Sequence, residues 1–426
     1  MIDVNKVRKD FKMLNIKMQN NQLVYFDSAA TSLTPNCVIK AMNDYYYKYK
    51  SNSHSADSDI SLKTQQEVEK TRAIVAKFIH CKKEEVVFTS GTTNSLNIIA
   101  FGYARNYLVE DDEIILNIAE HASNILPWYE IAKTNKLNIR FAPLDKDGKV
   151  TLESIKKVIT NKTKLISIAL VSNVLGNENE VEAIVKYAHK HHIIVVVDGA
   201  QAIAHQKVDV KKLGCDFFAF SGHKMCGPTG IGILYGKYDL LEKTSSLALG
   251  GGMNARFDDK PSMILKHAPY KFEGGTLPFA EIIGLQRAIK YLVKIGLDNI
   301  NEYEKQLKRY AISKLSKLDN IILYSANNDS GIITFNIKDV FCQDAGTYFN
   351  YQGIALRSGH HCAKLLPEYL NCIGTVRASL YFYNTFEEID RFVEVCKHGG
   401  DFLDAIFKWS NDKKTNNNGP LWKSSS

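Results

Sequence analysis

Short apolar runs alternate with longer stretches of helical spacing along most of the chain. Runs of strand character cover residues 23–27, 85–89, 113–118, 138–142, 164–171, 193–198, 216–221 and 230–235. Between them, apolar residues recur at helical intervals over 59–79, 93–107 and 178–192. This alternation predicts a mainly parallel sheet covered by helices on both faces. The segments ISIALVS and IIVVVD are apolar almost throughout, as strands buried on both faces should be.

The glycines at 250–252 and the polar residues up to about 261 interrupt the pattern. Helical spacing resumes over 279–295 and 298–318, followed by strand-like runs at 321–324 and 331–336 and a last helix over 385–407. A chain of 426 residues exceeds what one hydrophobic core usually organises, so a smaller α/β unit after the large one is expected. The closing stretch NDKKTNNNGPLWKSSS is polar and low in complexity and reads as a disordered tail.

Composition changes this picture little. The 45% hydrophobic and 23% charged content is that of an ordinary soluble globular protein. No apolar run reaches the roughly 18–20 residues of a membrane span. The opening MIDVNKVRKDFKMLNIKMQNN lacks the apolar centre of a secretory signal. A formal charge of +8 is spread along the chain without a basic stripe interleaved with aromatics, which argues against a nucleic-acid role. The eight cysteines form no CxxC pair, so neither a zinc knuckle nor a disulfide framework is suggested, and a reducing, cytoplasmic compartment fits.

Ligands of open α/β sheets bind beyond the carboxyl ends of the strands. One such end delivers Asp198, followed by Gly199-Ala200-Gln201; another delivers Ser221-Gly222-His223-Lys224. Pyridoxal phosphate needs a lysine to bond its aldehyde and an acidic partner for its ring nitrogen. The acid keeps that nitrogen protonated, which makes the ring an electron sink. Either element alone would as readily be structural. Together, in this order, they point to that cofactor with Lys224 as its lysine. A phosphate site would accompany them at Gly91-Thr92-Thr93, where a glycine and two hydroxyls precede a helical pattern and its positive dipole end. By itself that triplet is equally a plain helix N-cap. Cys362 lies in RSGHHCA, beside an arginine and two histidines, and positive neighbours favour the nucleophilic thiolate. Judged locally, the same cluster also fits a fragment of a metal site or a structural cysteine.

The segments YFDSAAT (25–31), SGTTNSLN (90–97), AEHASNILPW (119–128), VSNVLGNEN (171–179), VDGAQA (197–202), FSGHKMCGPTGIGILY (220–235), FEGGT (272–276), RSGHHCAKLLP (357–367) and RAS (377–379) follow one another along the chain. With them the chain resembles the class V aminotransferase-like, fold-type I pyridoxal-phosphate enzymes, and among these the Suf-type (group II) cysteine desulfurases, from about residue 20 to 405. The resemblance implies an α/β fold whose large domain, 21–300, holds a mainly parallel, mixed seven-stranded sheet flanked by helices. It also implies a smaller α/β C-terminal domain over 301–407 that carries the catalytic cysteine, joined by an N-terminal segment over 1–20. Residues 408–426 would form the tail.

Carried over position by position, the resemblance implies that His121 stacks on the cofactor ring and Asp198 pairs with its nitrogen. Gln201 would bond the ring hydroxyl and Asn173 would contact the cofactor–substrate region. Thr92, Thr93, Ser221 and His223 would hold the phosphate. Thr276 would reach the phosphate of a neighbouring subunit, which implies a homodimer. Arg377, helped by Arg357, would bind the substrate carboxylate, which a planar guanidinium can grip at both oxygens. Lys224 and Cys362 would then convert L-cysteine to L-alanine, leaving the sulfur on Cys362 as a persulfide. The compact loop from Arg357 to Pro367 implies activation by a small Suf-type sulfur-acceptor protein, in the service of iron–sulfur cluster assembly. No metal, nucleic acid or membrane is implied. A selenocysteine lyase, another class V enzyme and a catalytically silent cofactor-binding scaffold are the alternatives. The chain departs from the family at His54-Ser55-Ala56-Asp57-Ser58, where H-R-G-x-H is usual, at Asn94, and at Leu277, which separates Thr276 from Pro278.

Overall fold

The computed structural model describes residues 2–52, 57–259 and 262–399. His54, Ser55 and Ala56, the expected tail and the end of the last helix lie outside them. The large sheet is built from β1 (Val86–Thr89), β2 (Glu113–Asn117), β3 (Asn138–Ala142), β4 (Thr163–Ala169), β5 (Ile194–Asp198), β6 (Phe217–Ser221) and β7 (Gly232–Gly236). Its seven strands run in the order β1-β7-β6-β5-β4-β2-β3. From β6 to β3 all neighbours pair in parallel, whereas β7 is antiparallel to both β1 and β6. The mixed, mainly parallel sheet read from the sequence is therefore present.

Alternate residues of these strands feed two separate apolar clusters. Val195, Val197, Phe218 and Phe220 belong to one, while Val196, Phe217 and Ala219 belong to the other. Side chains of successive strand residues point to opposite faces, so a strand covered on both sides must be apolar at every position. The helices Asn36–Lys48, Asp59–Phe78 and Phe279–Ile295 pack together. Ser58 caps the second of them by accepting from the Ser61 amide.

A second sheet comprises β8 (Ile321–Leu323), β9 (Ile332–Ile337), β10 (Arg357–Gly359) and β11 (Thr375–Ser379), ordered β8-β9-β11-β10 and antiparallel throughout. The run at 23–27 does not join the large sheet. Val24–Tyr25 pairs in parallel with Ile354–Ala355, and Asp27 bridges to Ser379. Two further differences have local causes. The helix expected over 93–107 is π-helical from Ile98 to Ala104, where the Gly102 carbonyl also accepts from the Ser245 amide and the Asn106 side chain. The polar stretch after the glycine run contains an antiparallel pair, Asn254–Phe257 with Met263–Leu265, whose exposed strands carry no burial pattern to betray them.

Gly232 faces Thr89 of β1 on one side and Ser221 of β6 on the other. A Cβ there would stand 2.4 Å from the Gly91 Cα and 2.7 Å from the Phe220 carbonyl oxygen. The absent side chain lets the ends of β1 and β6 close on one spot. Gly232→Ala should lower the unfolding free energy by about 1–3 kcal/mol through overpacking, read as a shift of the urea midpoint at unchanged slope.

Candidate active site

The carboxyl ends of β1, β5 and β6 converge on a cavity of about 160 Å³. Thr92, Thr93, His121, Asn173, Asp198, Ser221, His223, Lys224, Arg357 and Arg377 all line it, with Ala29, Ala30, Ser123 and Ala200. Gln201 does not: its amide donates to the Ala29 carbonyl at 2.8 Å. Thr276 is exposed and also lies away from this cavity. A larger hollow of about 760 Å³ opens beside Gln201 and Ala29. Its charges are largely occupied with one another, His205 with Glu304 and Arg309 with Asp329, while Lys308 donates to the Ser325 and Ile332 carbonyls. The smaller cavity gathers the reactive groups and is the candidate site.

One corner of it is rich in hydrogen-bond donors. Gly91, at φ 151°, precedes the helix that starts at Thr92. The Thr92 amide donates to the Ser221 hydroxyl at 2.8 Å, and the two hydroxyls lie 2.8 Å apart. The His223 ring approaches the Thr31 hydroxyl at 3.3 Å, and its carbonyl accepts from the Ser32 amide. Thr93 meets Ser123 at 2.7 Å, and the Ser123 hydroxyl lies 3.1 Å from the His121 ring.

Asp198 is buried and accepts from the Ala200 amide at 2.9 Å. Burial raises its pKa above the ordinary carboxyl value, while Lys224 and the Ala200 amide draw it down. Lys224 keeps some contact with the cavity, but depth rather than exposed area governs its proton affinity. Burial pushes its amine down to about 8 against the attraction of Asp198, and Arg377 and Arg357 push the same way. Burial and the nearby Lys224 also lower both His121 and His223 to about 4, so both rings are neutral at neutral pH. A neutral imidazole can lie flat against an aromatic ring without carrying charge into the site.

On the opposite wall, Arg357 of β10 and Arg377 of β11 are direct cross-strand partners. Arg377 is 1% exposed; it donates to the Asn173 carbonyl at 2.7 Å and to Asp27 Oδ1 at 3.2 Å. Its buried Nε has no partner. A buried donor left unpaired is costly, and an anion that reached it would relieve that cost. Arg357 Nη2 lies 3.2 Å from the Sγ of Cys362, which is exposed. Ala363 and Leu366, buried against Ala119, Val174 and Leu175, anchor the turn that carries this cysteine. The sequence reading assigned no role to Asp27, Ala29 or Ser123, although their segments stood out in it.

The donor set fits pyridoxal phosphate. It offers amides and hydroxyls at a helix start for the phosphate, a buried carboxylate for a ring nitrogen, and a buried amine with lowered proton affinity.

The class V aminotransferase model matches residues 24–392. The chain belongs to the class V aminotransferase family. It is 44% identical over 407 residues to a probable cysteine desulfurase of Halalkalibacterium halodurans, covering 95% of this chain and 100% of that one. A probable cysteine desulfurase of Staphylococcus aureus is 43% identical over 408 residues, with 95% and 98% covered. Among solved structures, the apo cysteine desulfurase of Thermococcus onnurineus superposes with a TM-score of 0.88 at 37% identity, covering 93% of this chain and 98% of that one. The Escherichia coli cysteine desulfurase CsdA gives 0.87 at 32%, with 94% and 99% covered. The family is pyridoxal-phosphate dependent, in agreement with the fit of the site.

The Lys224 amine must lose its proton before it can attack an aldehyde. Its unprotonated fraction grows as pH passes about 8. Pyridoxal-phosphate uptake by the apo-protein, followed by absorbance, should accelerate between about pH 7 and about pH 9 and then level off. A rate still climbing above about pH 10 would mean an ordinary lysine.

Proposed function

We propose that this protein is a Suf-type cysteine desulfurase that converts L-cysteine to L-alanine and hands the sulfur to an acceptor protein. The observation that carries the reading is the contact between Cys362 and Arg357. An exposed thiol lies 3.2 Å from a guanidinium lining the cavity that holds Lys224 and Asp198. An aminotransferase or a kynureninase-type enzyme has no use for a nucleophile there.

Pyridoxal phosphate, when bound, supplies an electron sink that lets the Cα–H bond of an amino acid break. Thr92, Thr93, Ser221 and His223 would hold its phosphate, Asp198 would keep the proton at its ring nitrogen, and His121 would cover its ring. Asn173 would border cofactor and substrate. Gln201, whose amide is engaged with Ala29, would reach the ring hydroxyl only by exchanging that bond. Arg377, with Arg357 beside it, would fix the substrate carboxylate and so the direction of its Cα–H bond. Lys224 would accept the Cα proton at Nζ. The Cys362 thiolate would then attack the substrate sulfur: the S–S bond forms as the substrate C–S bond breaks, leaving a persulfide on Cys362 and, once a proton reaches Cβ and Lys224 Nζ returns one to Cα, alanine.

Thr276, exposed and away from the cavity, would complete the phosphate site of a second copy, which makes the working unit a homodimer. The division into a large domain over 21–300 and a small one over 301–407, joined by 1–20, belongs to the same proposal. The compact turn around Cys362 favours discharge to a small thiol-bearing acceptor and, through it, iron–sulfur assembly. All eight cysteines are free thiols, which suits a reducing cytoplasm, and among the described residues no helix is long and apolar enough to cross a membrane.

The test is alanine formation from cysteine by the cofactor-loaded protein. Wild type should release alanine, and Cys362→Ala should lose at least about a hundredfold while keeping the visible cofactor spectrum. Equal alanine from both would remove Cys362 from the reaction and with it the desulfurase reading. In the same assay, a thiol-bearing Suf-type acceptor should raise wild-type turnover about tenfold or more; no stimulation by any such acceptor would overturn the acceptor part of the proposal.

A further inference from the structure

His361 and Cys362 both adopt left-handed backbone conformations, at φ 51° and 60°. Few residues other than glycine adopt that region, although histidine does so more often than most, and two in succession persist only where the surroundings over-determine them. Three bonds do so here. Asn173 Nδ2 donates to the His361 carbonyl at 2.8 Å, and the Ala122 amide donates to the Cys362 carbonyl at 2.6 Å. The third comes from the His361 ring, whose Nε2 lies 3.0 Å from the Thr375 carbonyl oxygen and 2.9 Å from its hydroxyl.

A carbonyl can only accept, so the ring proton sits on Nε2 and the imidazole is a donor to β11. Its Nδ1 is buried without a partner. The ring is 2% exposed, and burial together with Arg377 and Arg357 lowers its pKa to about 3. It therefore stays neutral through the working pH range and offers no proton to the reaction. What it does is mechanical. Thr375 lies two positions before Arg377 on the same strand. Asn173, which grips the His361 carbonyl, gives its own carbonyl to Arg377. The cysteine turn is thus tied twice to the arginine proposed to hold the substrate carboxylate.

We propose that His361 is a positioning residue for the sulfur-transfer step, fixing Cys362 in register with the carboxylate-binding Arg377. The proposal rests on the desulfurase reading for its substrate, but its geometry can be tested separately. His361→Phe removes the donor and keeps a ring, whereas His361→Gln keeps an N–H within reach of Thr375. Both should retain the visible cofactor spectrum and a KM for cysteine within about twofold of wild type, because neither touches the cofactor cavity. In the Phe variant, kcat for alanine should fall by about tenfold to a hundredfold, the cost of a misplaced reacting atom. The Gln variant should recover most of that loss. Should the Phe variant fail to fold, His361→Ala gives the same comparison without added bulk.

A second readout needs no turnover. Iodoacetamide labelling of Cys362, followed by mass spectrometry of its peptide, should be slower in the ringless or Phe variant, because the thiol leaves Arg357, and near wild type in the Gln variant. Wild-type kcat in a folded variant without the donor overturns the proposal. So does an equal loss in the Gln variant, or labelling of Cys362 that is unchanged or faster without the donor. A wild type that makes no alanine refutes the desulfurase reading instead, and the labelling comparison still decides the positioning role.

Discussion

Arg357 and Arg377 stand directly opposite one another on neighbouring antiparallel strands, and the Lys224 amine lines the same cavity. Like charges in that register repel, and removal from water makes each of them dearer. Asp198 and Asp27 offset part of this positive charge, but the Arg377 Nε remains without a partner. Burial first, and this positive charge in addition, lowers the proton affinity of Lys224 and keeps His121 and His223 neutral. The positive charge also supports the proposed binding of a phosphate and an amino-acid carboxylate: the folded chain carries the cations before any anion arrives.

The scaffold meets this cost with rigidity. Strands buried on both faces deliver Asp198 and Ser221 from a close-packed sheet, and Gly232 lets a third strand end approach. The large sheet thus carries the groups proposed to hold the cofactor, while Arg357 and Arg377 stand on the second sheet and Cys362 rides on a turn tied across to the large sheet by Asn173 and Ala122. Such a division suits chemistry in which one set of atoms must stay still while an exposed sulfur meets a partner.

Much of this was legible in the sequence because burial on two faces leaves an unambiguous signal. IIVVVD and DFFAF are apolar at nearly every position, so both their strand character and the location of Asp198 and Lys224 at their ends could be read directly. The exposed pair Asn254–Phe257 and Met263–Leu265 carries no such signal and was missed. The partner of Val24–Tyr25 was equally hidden, since pairing with Ile354–Ala355 depends on tertiary structure and not on local pattern. Asp27 escaped for the same reason: an aspartate after a short apolar run says nothing of an arginine far down the chain. His361 looked like a charge near a thiol, and only its burial and its bond to Thr375 make it a neutral strut.

The bond between Asp27 and Arg377 joins residues 350 positions apart. During synthesis the large sheet has all its strands once Gly236 has emerged, whereas Asp27 must wait for almost the whole chain. Closing so long a loop is slow, and domains emerging from the ribosome tend to fold in order. The wall of Arg357 and Arg377 and the cysteine turn are therefore assembled last, on a sheet already formed. A truncated or nascent chain would hold the strand ends that carry Asp198 and Ser221 yet lack Cys362, so that unfinished polypeptide would have the lysine without the thiol that the proposed reaction needs.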